Sequence, residues 1–102
     1  MLDFHAARVA AAVSGAPLFA AEGLRGTYYV SPDGYETPEV FIVLDGAAED
    51  LRDGDEDYVA YDKPATIVFK RSGDVAYMAP MEIRGLVASA TECHDPDPTP
   101  LP

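Results

Sequence analysis

The sequence predicts an α+β fold, in which an antiparallel sheet of about four to five strands carries an N-terminal helix packed on one face. A second short helix near the C-terminus is an option. Three observations favour this class: an alanine-rich N-terminal segment, a strongly apolar run at residues 40–44, and a β-hairpin pattern over residues 66–78. At 102 residues the chain is long enough for one domain with its own core.

The N-terminal segment has helical periodicity from residue 3 to residue 13. Asp3 can cap the first turn, and Gly15, in a left-handed conformation, followed by Pro17 predicts the end of the helix. The predicted buried stripe is Leu2, Ala6, Val9 and Val13. Small alanines on this helix favour close packing on a sheet.

Two strands are expected next. A short strand covers residues 27–30, and residues 31–34 form a turn in which Pro32 presets φ and Gly34 accepts positive φ. Residues 40–44 are continuously apolar, which predicts a central strand covered on both faces. Asp45 and Gly46 are expected to end that strand.

The hairpin is predicted from the β-branched and aromatic residues at 66–70 and the turn residues that follow them. A three-residue loop, residues 71–73 with Gly73 left-handed, would pair Phe69 with Val75 and Ile67 with Tyr77. That register would place these four residues on one face of the sheet.

The C-terminal part is open between two structures. Pro80 at a first helical position predicts a helix, whose apolar face would be Ile83, Leu86, Val87 and Ala90. A final strand at residues 82–88 is the alternative, since Gly85 weakens the helix. The predicted domain is 1–93, and the proline-alternating segment 94–102 is expected to be a disordered Pro/Asp-rich tail.

Composition restricts the function classes. Eighteen Asp and Glu against seven Lys and Arg give a net charge of −11, which disfavours nucleic acid and anionic membrane as partners. The single cysteine, Cys93, forms no internal disulfide and fits a reducing, cytoplasmic location. Asp3 and Arg8 interrupt the N-terminal apolar run, unlike a signal peptide, and no stretch is expected to span a membrane.

No catalytic, cofactor or metal motif is recognisable. The acidic connection 45–57 is predicted to be exposed, and its spacing of aspartates lacks the glycine and the bidentate glutamate that a calcium loop requires. His5 and His94 lack a third ligand for zinc, and neighbouring Cys93 and His94 would point apart. Glu82 and Asp62 are the least poor candidates for a catalytic acid.

Tyrosines and aspartates instead indicate a protein interface. Adjacent Tyr28 and Tyr29 must face opposite sides of a strand, so one of them should lie outside the main core. Tyrosines beside acidic groups suit a surface that binds a basic partner. The candidate partner-binding residues are Asp53, Asp55, Asp57, Tyr28 and Tyr58.

Residues 64–75, Pro-Ala-Thr-Ile-Val-Phe-Lys-Arg-Ser-Gly-Asp-Val, carry a resemblance to a known group. With the apolar strand and acidic segment before them, they resemble small immunity-type domains of bacterial polymorphic toxin systems, in which a Lys-x-x-Gly-Asp/Glu-Val hairpin follows an apolar strand. This resemblance implies a non-enzymatic inhibitor that occludes a toxin's active site. An acidic surface would suit a basic nuclease toxin.

The predicted function is therefore an acidic, non-catalytic protein-binding domain of immunity or inhibitor type, without a cofactor, acting on a basic protein partner. One alternative is a small-molecule-binding or enzymatic domain with a pocket between helix and sheet, lined by Tyr28, Tyr61 and Tyr77. A buried carboxylate in an apolar cavity would favour that alternative. A second alternative is a phage or assembly accessory protein, which an obligate ring or filament interface would favour.

Overall fold

The computed structural model describes residues 1–59, 63–96 and 101. The elements in chain order are α1 (Phe4–Ala21), β1 (Tyr28–Glu36), β2 (Val40–Ala47), α2 (Ala48–Leu51), a 3₁₀ turn (Glu56–Tyr58), β3 (Ala65–Phe69), β4 (Val75–Met78), α3 (Pro80–Ala88) and β5 (Thr91–His94). The five strands form an antiparallel sheet with the order β4-β3-β2-β1-β5 at the centre of the molecule. Helix α1 packs on the sheet, so the predicted α+β class is confirmed.

Helix α1 begins where the sequence predicts and continues beyond the predicted end. The Asp3 carboxylate accepts a hydrogen bond from the Ala6 N–H at 2.8 Å, as an N-cap does. The predicted stop at Gly15 and Pro17 is wrong, because the helix runs on to Ala21. Gly15 is helical and serves close packing, since a Cβ there would lie 2.4 Å from the Tyr28 hydroxyl oxygen.

The buried face of α1 also differs from the predicted stripe. It consists of Phe4, Ala7, Arg8, Ala11, Gly15 and Phe19. Val13 is 73% exposed, so the helix is rotated relative to the prediction. Ala7 and Ala11 are fully buried against the sheet, which confirms that the alanines serve close packing.

By length and composition alone, α1 could cross a membrane, contrary to the expectation that no stretch could. One third of its apolar window is buried inside the fold, and Phe4, Ala7 and Ala11 belong to the core. A core helix of a soluble protein and an N-terminal signal sequence pass the same test, so this finding is weak evidence for a membrane span.

Strand β2 is central, as predicted from its apolar run, but it does not end at Asp45 and instead continues to Ala47. Residues 31–34 are not a turn either: they lie inside β1, at a bulge between Val30 and Gly34. Gly34 does not have positive φ. Its lack of a side chain matters because a Cβ would lie 2.6 Å from the Ile42 carbonyl oxygen.

The β3–β4 hairpin forms with a different register. Gly73 is left-handed as predicted (φ 78°). The loop has four residues, 70–73, because the Phe69 N–H donates to the Asp74 carbonyl at 2.9 Å. Val68 therefore pairs with Val75, and Ile67 with Ala76. This shift separates the four residues predicted to share a face: Val75 packs with the α1 core, whereas Ile67 faces α3.

The C-terminal region forms the predicted helix, and the alternative strand at residues 82–88 is wrong. Ile83, Leu86 and Val87 of α3, with Ala90 just after the helix, form the predicted apolar face and pack against Val40, Ile42 and Ile67 on the side of the sheet opposite α1. The sheet is thus covered on both faces. Strand β5 follows and pairs with β1, so the predicted tail does not begin at His94. Residues 97–100 and 102 of that predicted tail lie outside the described residues.

A buried ion pair fastens β5 to α1. Arg8 donates to the Asp95 carboxylate at 2.6 Å, and both side chains are at most 5% exposed. Its remaining nitrogens donate to the carbonyls of Val30 and Ser31 at the β1 bulge. His5 is hydrogen bonded to the same Asp95 oxygen at 2.7 Å. Arg8 therefore holds together three elements that are distant in sequence.

Candidate functional site

Residues 48–58 form a lobe on the surface, which we call the acidic lobe. It contains α2, a turn and the 3₁₀ helix, and its carboxylates are Glu49, Asp50, Asp53, Asp55, Glu56 and Asp57. Backbone hydrogen bonds fix its path: the N–H groups of Arg52 and Asp53 donate to the Ala48 carbonyl, and the Asp55 N–H donates to the Glu49 carbonyl at 2.8 Å. The lobe therefore presents its charges on an ordered backbone.

The base of the acidic lobe is attached to the loop before β1. The Ala48 N–H donates to the Thr27 carbonyl at 2.8 Å, and the Thr27 N–H donates to both oxygens of the Glu49 carboxylate. The hydrogen bond from the Thr27 backbone N–H is the main reason that the pKa of Glu49 lies below its usual value. The Arg25 guanidinium lies over the Tyr58 ring, 5.0 Å from its centroid.

All three predicted partner-binding aspartates are exposed on this lobe. Asp53 forms an exposed ion pair with Arg52 at 2.8 Å. The resulting hydrogen bond lowers the pKa of Asp53. Asp55 caps the 3₁₀ helix by accepting the Asp57 N–H at 3.0 Å. Tyr58 is half-buried at the end of the lobe. The structure thus brings together four of the five candidate residues.

Tyr28, the fifth candidate, packs inside the fold. It is half-buried against α1, and its ring lies 5.5 Å from the Phe19 ring. Its hydroxyl donates to the Asp45 carboxylate at 2.7 Å. Burial, together with this hydrogen bond, raises the pKa of Tyr28 far above its ordinary value. Tyr28 is therefore a neutral donor inside the fold.

Asp45 lies at the centre of a buried polar cluster, contrary to the prediction that the whole acidic segment is exposed. Its side chain is 1% exposed. Lys63 and Thr66 donate to one carboxylate oxygen at 2.8 and 2.7 Å, and Tyr28 donates to the other. Because both oxygens accept hydrogen bonds from donors on three separate segments, the cluster stabilises the fold.

Two cavities meet at this cluster, and Asp45, Lys63 and Pro64 line both of them. One, of about 200 Å³, lies under the acidic lobe beside Leu51 and Tyr58. The other, of about 180 Å³, lies between the end of α1 and the sheet; we call it the α1 cavity. Of the three tyrosines that the small-molecule alternative places in such a pocket, Tyr77 lines the α1 cavity, Tyr28 is not among the described lining residues, and Tyr61 lies outside the described residues.

The other residues considered for catalysis or metal binding are Cys93, His94, Glu82 and Asp62. Cys93 is buried, and burial raises the pKa of its thiol to about 11, which suppresses the reactive thiolate. The neighbouring His94 is exposed and is hydrogen bonded to Asp33 at 2.6 Å. Glu82 is exposed in the first turn of α3, and Asp62 lies outside the described residues. Within the part of the chain that the structure describes, no group of three His, Cys, Asp or Glu residues could hold a metal ion.

A scan against models of known protein families, a search of curated proteins and a search of solved structures each find no match to this chain. The geometry and charge of the described residues therefore carry the functional argument.

Sequence reasoning missed Asp45 and Lys63 as partners. The available signal was the position of Asp45 at the end of the most apolar run in the chain, where a carboxylate is expected to need a cation. Lys63 is one of only two lysines, and the other, Lys70, pairs with Glu36 at 2.8 Å. No pattern in the sequence indicates which carboxylate each lysine selects.

Proposed function

We propose that this chain is a non-catalytic, acidic protein-binding domain of immunity or inhibitor type, which occludes a basic protein partner through the acidic lobe. The observation that carries the proposal is the concentration of six carboxylates in residues 48–58 on a hydrogen-bonded backbone. Fixed charges of one sign attract a basic surface and orient it before contact.

The charge of the lobe is only slightly compensated within the fold. Among the described residues, Arg52 is the side-chain cation that forms an ion pair with it, and that pair is solvent exposed. The carboxylates of Asp55, Glu56 and Asp57 follow one another around the 3₁₀ turn, all exposed. A basic partner that meets this surface would relieve the repulsion between them, which favours association.

Apolar groups beside the charges provide contact area. Leu51 is 37% exposed at the end of α2, and Tyr58 closes the lobe on its other side. Buried aromatic and aliphatic anchors supply most of the affinity of an interface, whereas rim charges mainly govern the association rate. We therefore assign Leu51 and Tyr58 as anchors and Asp53, Asp55 and Asp57 as steering charges, with the partner being cytoplasmic and basic, a toxin by the resemblance of residues 64–75.

The test begins with capture of the partner by the wild-type chain and continues with association rates at low and high salt. The lobe variant is Asp53→Asn/Asp55→Asn/Asp57→Asn, in which asparagine preserves the capping oxygen of Asp55. The matched control is Glu39→Gln/Asp74→Asn/Glu82→Gln, which removes three exposed carboxylates outside the lobe and changes the net charge equally.

We expect the lobe variant to associate more slowly and to lose most of its salt dependence, while the dissociation rate changes little. The control should retain most of the wild-type rate. Equal slowing of both variants would mean that only net charge matters, and a salt-independent wild-type rate would remove the basis of the proposal.

A further inference from the structure

The residues that line the α1 cavity differ in chemical character from the charged surface of the acidic lobe. One side is formed by the last two turns of α1 and the residues after it, and the other by the sheet and by the segment that begins at Lys63. Its lining is Gly15, Leu18, Phe19, Glu22, Leu24, Asp45, Lys63, Pro64 and Tyr77.

Most of this lining is apolar. Leu18, Phe19, Leu24 and Pro64 provide aliphatic and aromatic surface, and Leu18 is 44% exposed at the opening. A volume of about 180 Å³ is room for about six waters at ~30 Å³ each, or for a single ring with a short side chain. The cavity therefore fits a small molecule with an apolar body.

The charges around the cavity favour a cation. Among the described lining residues Lys63 is the cationic one, and its ammonium is already paired with Asp45 at 2.8 Å. Glu22 caps the C-terminus of α1, and the last turn of the helix contains no basic residue. The helix dipole adds partial negative charge at this end. Aromatic rings at Phe19 and Tyr77 also suit an organic cation.

We propose that the α1 cavity binds a small organic cation, a primary ammonium on a compact apolar or aromatic body. The ammonium lies toward Glu22 and the end of α1, and the body packs against Leu18, Phe19 and Leu24. This site is separate from the acidic lobe, and the proposal does not depend on the proposed protein partner.

The test is a titration of the full chain, followed by backbone amide NMR, with three probes of the same shape: phenethylamine, 2-phenylethanol and phenylacetate. We expect saturable shifts at Leu18, Phe19, Leu24 and Tyr77, strongest for phenethylamine, weaker for the alcohol and absent for the acid. Glu22→Gln should weaken phenethylamine binding about two- to fivefold, the range for a partly exposed ion pair, and leave the alcohol unaffected.

Two variants serve as controls. Glu82→Gln, on the opposite face of the sheet, and the lobe variant Asp53→Asn/Asp55→Asn/Asp57→Asn should both bind phenethylamine as the wild type does. Leu18→Ala should weaken the amine and the alcohol together. The proposal is overturned if no probe gives saturable shifts, if the three probes bind equally, or if phenylacetate binds best because Lys63 selects an anion.

Discussion

Asp45 and the aspartates of the acidic lobe belong to one acidic stretch of sequence, but Asp45 is buried and the lobe aspartates 53, 55 and 57 are exposed. Asp45 is 1% exposed and accepts hydrogen bonds from Lys63, Thr66 and Tyr28. Asp55 and Asp57 are exposed and contact their own turn. The same side chain thus supports the fold at the end of β2 and forms a charged surface a few residues later.

This difference in burial arises from the neighbours that each aspartate has in the folded chain. Asp45 continues the central strand, so the adjoining strand β3 brings Thr66 to it and the preceding Lys63 can reach it. The lobe leaves the sheet after Ala47 and has solvent beside it. A local run of carboxylates therefore indicates net charge, whereas the role of each member depends on pairing partners about twenty residues away.

The largest expected effect separates these two groups by stability. Asp45→Ala should lower the free energy of unfolding by about 3–5 kcal/mol, because it leaves the Lys63 ammonium, the Thr66 hydroxyl and the Tyr28 hydroxyl without their shared acceptor. Urea denaturation of the variant measures this loss.

The matched comparison is the triple asparagine variant of the lobe, which should keep the wild-type unfolding midpoint or raise it slightly, since it reduces repulsion between exposed charges. If both variants changed the midpoint equally, the distinction between the Asp45 cluster and the acidic lobe would fail.

A second experiment tests whether a buried carboxylate near the C-terminus also contributes more to stability than an exposed one. Asp95→Ala should cost about 3 kcal/mol, because the buried Arg8 guanidinium would lose its carboxylate partner. Glu92→Ala, an exposed change in the neighbouring strand β5, should cost far less. Thermal unfolding of the two variants measures the difference, and a small loss at Asp95 would mean that this end of the chain is not held by Arg8.

The smallest expected effect lies at Glu49, which joins the lobe to the fold. Hydrogen bonding from the Thr27 N–H lowers its folded-state pKa below the unfolded value. The stabilisation that the Glu49 carboxylate contributes is therefore present above its pKa in the unfolded chain, and it is lost as the pH falls through its pKa in the folded chain. Glu49→Gln should be less stable than the wild type at pH 7, and the difference should be smaller near pH ~3, below the ordinary carboxyl range.

Urea midpoints at the two pH values check this prediction. Glu56→Gln, an exposed change in the same lobe, should show no such pH-dependent difference. A Glu49→Gln defect that persists unchanged in acid would indicate lost packing, and the carboxylate would then not be what attaches the lobe.

The sequence by itself determined the fold class and the elements whose signals are local. The Asp3 cap, the continuous apolarity of residues 40–44 and the left-handed Gly73 are properties of short segments. The apolar face of α3 follows the helical period in the same way, so it could be predicted without knowing what it covers. The acidic lobe was likewise recognisable, because charge density is a property of the chain.

Only the tertiary structure decided the features that depend on contacts between distant segments. Gly15 and Pro17 read locally as a helix end, but Gly15 lies against Tyr28, and the packing of α1 on the sheet extends the helix past both. The hairpin loop has one more residue than predicted, and this shifts the strand register. Turn residues are compatible with several loop lengths, whereas the two covered faces of the sheet are compatible with one register. The burial of Asp45 followed from Lys63, Thr66 and Tyr28 converging on it in space, which no local pattern encodes.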